Sequence, residues 1–328
     1  MESFWQQLKK PVMVLAPMAD VTDVAFRRVI ARYGKPDVLW TEFVSADGLW
    51  HTREKKKMPD SENPLMQDLL FSKEEHPIVA QFFSSNPEMM EYAATLAREL
   101  GFDGVDINMG CPDRSVEKQG GGASLIKNPI LARELIRAAK RGAGPLPVSV
   151  KTRIGYHKNE LETWLPQLLA EEPAVLTIHA RTRKEMSLVP ARWEHVREAV
   201  LLRDIHSPST LIFGNGDIAD IKDARQKVSE TGADGAMLGR AIFGNPWLFN
   251  TKHTREEVSL SERLSVLLEH VRLYEALLPQ KSFSVMKKHF KAYVSSFPRA
   301  AELRDALMQT NSGDEVERVL NNFRIEQV

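Results

Sequence analysis

The feature that most narrows the fold is a repeated unit. Eight short apolar segments rich in β-branched residues alternate with longer stretches of helical period between Val12 and Gly239. The expected strands are Val12–Ala16, Val38–Glu42, Ile78–Phe82, Gly104–Asn108, Val148–Arg153, Val175–His179, Leu211–Asn215 and Gly235–Gly239. Helices are expected at Asp23–Tyr33, Pro87–Leu100, Ser124–Arg141, Glu160–Ala170, Trp193–Leu202 and Asp217–Glu230. Strands that are apolar throughout are buried on both faces, the habit of a parallel sheet covered by helices. Eight such units fit a (β/α)8 TIM barrel; an open, doubly wound sheet is the competing topology. The link Val44–His76 breaks the pattern. Its basic run, Arg53-Glu54-Lys55-Lys56-Lys57, reads either as a solvated loop or as part of an anion-binding rim.

After Gly239 the strands stop. Leu260–Leu278, Phe283–Phe297, Ala300–Gln309 and Asp314–Phe323 have helical spacing, punctuated by Pro279, Pro298 and Asn311-Ser312-Gly313. Residues 1–250 are therefore expected to form the barrel, and 251–328 a small all-helical C-terminal domain. With 43% hydrophobic and 27% charged residues in 328, the chain has a globular composition and a core that needs no disulfides. The single cysteine, Cys111, excludes an intramolecular disulfide or a Cys-rich zinc site, so no metal is expected. No apolar run reaches membrane-spanning length, and Met1-Glu2-Ser3-Phe4-Trp5 lacks the basic and apolar regions of a signal peptide. A cytoplasmic monomer without membrane contact is the expectation.

Lys+Arg and Asp+Glu both number 44, which argues against a general polyanion-binding protein. Charge is nevertheless uneven. From Lys281 to Arg304 there are six basic residues and one acidic one, Glu302. That stretch reads as a solvated helix face or as a surface for an anionic partner.

Barrel chemistry gathers where strands end. The expected ends carry Pro17-Met18, Glu42, Gln81, Asn108, Lys151 with Arg153, His179 with Arg181, Asn215 and Gly239-Arg240. A purely structural rim has no need of Lys, Arg, His and Gln together, so these residues are candidates for a site. Gly214-Asn215-Gly216-Asp217 and Gly239-Arg240 follow the last two strands, the usual place for phosphate in this fold. Glycines there let backbone N–H groups approach an anion, and a helix starting after Gly239 would point its positive end at it. Asn108-Met109-Gly110-Cys111-Pro112, followed by Gly120-Gly121-Gly122, puts the cysteine in a turn directly after a strand. Cys111 is a nucleophile, a proton donor or a small buried hydrophobe; its position favours chemistry.

Several motifs stand together in order: Ala16-Pro17-Met18-Ala19 with Thr22-Asp23, Asn108-x-Gly110-Cys111-Pro112, Lys151-x-Arg153, His179-x-Arg181-Thr182, Gly214-Asn215-Gly216-Asp217 and Gly239-Arg240. In this order the chain resembles the FMN-dependent tRNA-dihydrouridine synthases, from about residue 11 to 250. A weaker likeness continues through Lys288-His289-Phe290-Lys291-Ala292-Tyr293 and Glu302-Leu303-Arg304. The Asn–Gly–Cys–Pro turn is the specific motif; the phosphate glycines are shared with other FMN barrels. Lys184–Pro190 carries none of these motifs.

The resemblance implies an FMN at the barrel mouth. Pro17, Met18 and Ala19 would touch the isoalloxazine, Gln81 its pyrimidine edge and Lys151 the N1–C2=O side. His179 would lie near the ring or ribityl chain. Asn215, Gly216, Asp217, Gly239 and Arg240 would take the ribityl and phosphate end. The implied reaction reduces a uridine, in the D-loop region of tRNA, to 5,6-dihydrouridine. NADPH (or NADH) reduces FMN, flavin N5 gives hydride to uracil C6, and Cys111 gives a proton to C5. Asn108, Arg153 and Arg181 would bind the uracil or a nearby phosphate. Lys287, Lys288, Lys291, Arg299 and Arg304 would meet RNA phosphates. Two other readings remain: an FMN barrel acting on a small dihydropyrimidine-like molecule, and an RNA-binding protein on a catalytically dead barrel.

Overall fold

The computed structural model describes residues 3–325. The chain runs β1 (Val12–Leu15), α1 (Val24–Tyr33), β2 (Leu39–Ser45), α2 (Ala46–Trp50), α3 (Pro64–Gln67), β3 (Ile78–Phe83), α4 (Pro87–Leu100) and β4 (Gly104–Met109). It continues through α5 (Arg114–Lys118), α6 (Pro129–Ala143), β5 (Val148–Arg153), α7 (Leu161–Leu169), β6 (Val175–His179), α8 (Glu194–His206), β7 (Leu211–Asn215), α9 (Ile221–Thr231) and β8 (Gly235–Leu238). Four helices follow: α10 (Leu260–Leu277), α11 (Met286–Tyr293), α12 (Ala300–Met308) and α13 (Gly313–Ile325).

All neighbouring strands are parallel, in the order β1-β8-β7-β6-β5-β4-β3-β2. The two ends of that order meet. Val14 bridges Val38 just ahead of β2, and Asp37 N–H donates to the Met13 carbonyl at 2.9 Å. The sheet therefore curls on itself, consistent with a TIM barrel rather than an open doubly wound sheet. No helix among the described residues is long and apolar enough to cross a membrane.

Four expected helices are cut short, among them Phe283–Phe297, which is a 3₁₀ turn (Phe283–Val285) running into α11 and ending at Tyr293. Ser124–Arg141 divides at Asn128, whose side chain accepts from Leu131 N–H at 3.2 Å and caps α6, with Pro129 in the first turn. Asp217–Glu230 begins only at Ile221, because Asp217 has φ +46 and Asp220 is the cap. The helix expected after Gly239 is a single 3₁₀ turn, Arg240–Ile242. Gly244 at φ +64 and the Asn245-Pro246 pair turn the chain away from helix there. The run at Arg53 is a wide helical turn, His51–Lys55, continuing α2, and Arg53 is bound to Asp60 (2.8 and 3.1 Å) and to the Tyr92 hydroxyl (2.8 Å).

The lower end of the barrel is filled. Trp5, from the 3₁₀ turn Phe4–Gln7, inserts among Val12, Val14, Trp40, Val79, Val175 and Phe213. Its ring centroid lies 5.8 Å from Trp40 and 5.7 Å from Phe213.

Helix α10 packs against α1, and two histidines lie in the seam. His270 stacks on Phe26 at 4.9 Å; His289 meets Phe26 edge-on at 4.8 Å and lies 4.6 Å from His270. Among the described residues, none of their four ring nitrogens has a hydrogen-bond partner. Burial, reinforced by the neighbouring His289, holds His270 well below 6.5; burial and Lys288 bring His289 down to about 3. As pH falls below the unfolded value of 6.5, the unfolded chain takes up protons that the folded chain refuses. Stability is then full above pH 6.5 and declines towards pH 3. The double variant His270→Leu/His289→Leu is expected to lose that decline, up to about 1.4 kcal/mol per pH unit for each histidine. Urea midpoints between pH 7 and 5 check this; an unchanged slope refutes it.

Candidate active site

Above the apolar base the barrel interior becomes polar. Residues two apart on a strand share a face, so Asp106 and Asn108 both point inward from β4. Ser149 Oγ and the Gln81 amide each donate to the Asp106 carboxylate at 2.5 Å, and the Asn108 amide donates to Gln81 Oε1 at 3.1 Å. Burial pushes the Asp106 carboxyl up to about 6, opposed by those two donors.

This chain of bonds ends at the cysteine. Asn108 Oδ1 accepts from the N–H groups of Gly110 and Cys111 at 3.1 and 2.9 Å. Ala123 N–H donates to the Cys111 carbonyl at 2.9 Å. Gly122, at φ +60, lies so close that a Cβ there would sit 2.6 Å from that carbonyl oxygen. From the other side Arg153 Nε donates to the Gly110 carbonyl at 2.7 Å, and its Nη1 to the carbonyls of Thr182 and Met186 at 3.1 and 3.0 Å. Burial pushes the Cys111 thiol above its ordinary value, although Lys151 and Arg153 pull the other way. At neutral pH it carries its proton.

Beside this turn a cleft of about 660 Å³ opens between the ends of β1, β5, β6, β7 and β8. Ala16, Pro17, Met18 and Met237 form apolar wall; Lys151, His179, Asn215 and Arg240 are among its polar residues. Burial, helped by Arg153 and opposed by Asp106, pushes Lys151 down to about 8. Among the described residues its ammonium has no hydrogen-bonding acceptor. Burial and the surrounding cations hold His179 far below its usual value, so it is neutral. Arg181 Nη1 donates to His179 Nε2 at 3.2 Å, which leaves the ring proton on Nδ1. Asp217 accepts from Arg181, from Ala191 N–H at 2.8 Å and from Arg240 at 2.5 Å.

Ten of the residues singled out from the sequence meet in this cleft: Pro17, Met18, Lys151, His179, Arg181, Asn215, Gly216, Asp217, Gly239 and Arg240. Ala19, Gln81, Asn108, Cys111 and Arg153 do not line it. Gln81 is fully buried, and its amide group already bonds Asp106 and Asn108. Arg153 and Arg181 are likewise taken, the first by three carbonyls, the second by Asp217 and the Val189 carbonyl at 2.6 Å. Both hold loops in place. Gly214 seats the Trp193 ring, which a Cβ would approach to 2.2 Å, so its small size serves packing and not an anion.

On the tail, Lys287, Lys288 and Lys291 stand on one side of α11, opposite the buried Met286, His289, Phe290 and Tyr293. Lys288 lies 3.6 Å from Asp20; Arg299 pairs with Glu302 at 2.8 Å, and Arg304 donates to the Val294 carbonyl at 3.3 Å. Sequence reasoning passed over Asp106. A carboxylate inside an otherwise apolar strand, two residues before Asn108, was the available signal.

The cleft suits a ligand with a flat, partly apolar body and an anionic end. Its volume falls within the range of small-molecule sites, roughly 300–1,000 Å³. Lys151 offers an uncommitted cation deep inside. At the other end Gly239 leaves open room, since a Cβ there would first meet Met18 Sδ at 3.7 Å, and Arg240 stands beside it.

Comparison with known proteins agrees with this layout. Residues 14–327 match the family model described as dihydrouridine synthase (Dus). The "Probable tRNA-dihydrouridine synthase 2" of Bacillus subtilis is 42% identical over 325 residues, covering 98% of this chain and 97% of that protein. A "Probable tRNA-dihydrouridine synthase" of Staphylococcus aureus is 40% identical over 328 residues, 99% of this chain and 97% of its own. Among solved structures, a 2-naphthoyl-CoA reductase complex superposes with a TM-score of 0.53 at 11% identity, over 73% of this chain and 49% of the other. Histamine dehydrogenase from Rhizobium sp. 4-9 gives 0.51 at 13% identity, over 80% and 48%. Those two share the fold. With a family match spanning nearly its whole length and relatives 40% and 42% identical over 97% or more of both chains, the chain belongs to the dihydrouridine synthase family.

Proposed function

We propose that this chain reduces a uridine of tRNA to 5,6-dihydrouridine, with FMN in the cleft and NADPH as reductant. The observation that carries the reading is the pairing of a protonated thiol, Cys111, with an uncommitted ammonium, Lys151, on adjacent strand ends of one mouth. When bound, the flavin supplies hydride to uracil C6. Lys151 would hold the negative charge that builds on the pyrimidine side of the ring, where a fixed cation in a dry site acts strongly. Pro17 and Met18 would cover the ring, and Gly216, Gly239 and Arg240 would take the phosphate, with Arg181 and Asp217 fixing the direction of Arg240.

Cys111 would protonate C5. A thiol kept neutral by burial is already in the state a general acid needs. Asn108 and Arg153 would hold its turn, and one Asn108 amide hydrogen stays available for the uracil edge. The target base must leave its stack to arrive there. The region beyond residue 250 would be the RNA-contacting domain, through Lys287, Lys288 and Lys291 on α11 and with Arg299 and Arg304 beside them, giving salt-sensitive affinity.

The test is chemical and cellular. Purified protein is expected to be yellow, and tRNA from a strain lacking the gene to lose dihydrouridine at defined positions and regain it on complementation. Unchanged tRNA would remove the RNA from the proposal and leave the small-molecule reading; colourless protein that still binds tRNA would support the binding-only reading.

A further inference from the structure

Two lysines from the helical tail converge on a single place in the barrel, the turn that presents Met18 to the cleft. That turn closes on itself. Met18 N–H donates to Thr22 Oγ1 at 2.9 Å, and the Met18 carbonyl accepts from the N–H groups of Val21 and Thr22 at 3.1 and 3.0 Å. At its tip Asp20 has φ +53, in the left-handed region that aspartate tolerates better than most residues other than glycine. What holds Asp20 there is Glu42 of β2, whose Oε1 accepts the Asp20 N–H. Glu42 is almost fully buried. Its other oxygen accepts from Lys281 Nζ at 3.1 Å, and the same ammonium lies 2.7 Å from Asp68.

The charged and titratable groups around Glu42 come from every element packed there: Lys281 ahead of α11, Asp68 after α3, Asp23 capping α1, Asp20 on the turn, Tyr274 on α10 and Lys288 on α11. Lys281 is the cation in contact with it. We propose that Lys281 and Glu42 are positioning residues: the tail lysine keeps Glu42 ionised, and the ionised carboxylate holds the Asp20 amide and so sets Met18 against the ligand. Docking of the tail and the shape of the cofactor cleft are thereby one event. Burial pushes Glu42 up to about 7 even with Lys281 beside it, and Asp68 and Asp23 push the same way. Without the lysine the carboxyl keeps its proton to higher pH than it does beside Lys281. It then accepts the Asp20 amide more weakly, as a neutral acceptor does.

This inference rests on the flavin reading of the cleft, so FMN is the probe. Equilibrium FMN binding to full-length protein is measured from pH 6 to 9 by flavin fluorescence, with circular dichroism checking the fold. Wild type is expected to bind more weakly as pH falls through about 7, the value at which Glu42 protonates. In Lys281→Met that transition moves up by about one pH unit or more, so binding near pH 7.5 weakens by about threefold or more. Lys281→Arg restores the wild-type profile. Glu42→Gln abolishes the transition and binds weakly throughout. A role confined to packing would weaken binding without moving the midpoint.

An unshifted midpoint in Lys281→Met overturns the proposal while leaving the flavin reading intact. If Lys281→Met does not fold, Glu42→Gln decides: wild-type affinity at pH 8 in that variant overturns it. A wild type that takes up no FMN at any pH overturns both.

Discussion

Cys111→Ala is expected to leave FMN bound and reducible by NADPH while lowering dihydrouridine formation by about 10²–10⁴-fold, the range a positioned general acid contributes. The expectation comes from where the thiol sits. Asn108, Ala123 and Arg153 hold its turn through backbone groups alone, so removing the sulfur disturbs none of those bonds. Burial keeps the thiol protonated at neutral pH. The sign for pH follows: product formation is supported below the thiol's pKa and falls as pH rises through it, and the alanine variant lacks that alkaline limb. Single-turnover assays with prereduced enzyme separate the two half-reactions. Undiminished product in the alanine variant would remove the proton-donor role.

Lys151→Met is expected to act on the other half-reaction. Flavin reduction by NADPH should slow by about 10²-fold, the lower end of what losing one preorganised donor costs in a dry site. Lys151 is pushed down to about 8, chiefly by burial. Its charge is therefore complete near pH 7 and disappears as pH climbs past 8, so wild-type reduction should decline there and the methionine variant should not. Stopped-flow bleaching of the flavin band reads both effects. An identical rate and an identical alkaline limb in the variant would exclude Lys151 from the site.

Most of the barrel was legible because its strands are buried on both faces and read as unbroken apolar runs. β5, β6 and β7 fall where they were expected. β2 runs on to Ser45 because the pairing with β3 slips between Trp40 and Phe43, a cross-strand event without a local signal. The break at Asn128-Pro129 was written in the chain, as a cap followed by the residue that favours a first turn, but helical period on both sides masked it. The site was legible as a set of polar strand ends and illegible in its internal partnerships. Gln81 looks as free as Lys151 in the sequence; only the neighbouring strand, which brings Asp106 beside it, shows that one is already hydrogen-bonded and the other is not. The contact between Glu42 and Lys281 spans 239 positions, and nothing in either neighbourhood announces it. His270 and His289 sit in helical patterns where a histidine is ordinarily a surface residue.

The tryptophan wedged into the floor of the barrel has a kinetic consequence. Trp5 closes the lower end of the chamber among the described residues, and the cleft opens at the upper rim. On the flavin reading, a nicotinamide and an unstacked pyrimidine would both approach one flat ring through that rim. Donor and acceptor are then expected to take turns, each departing before its successor is admitted, and double-reciprocal plots to give parallel lines rather than intersecting ones.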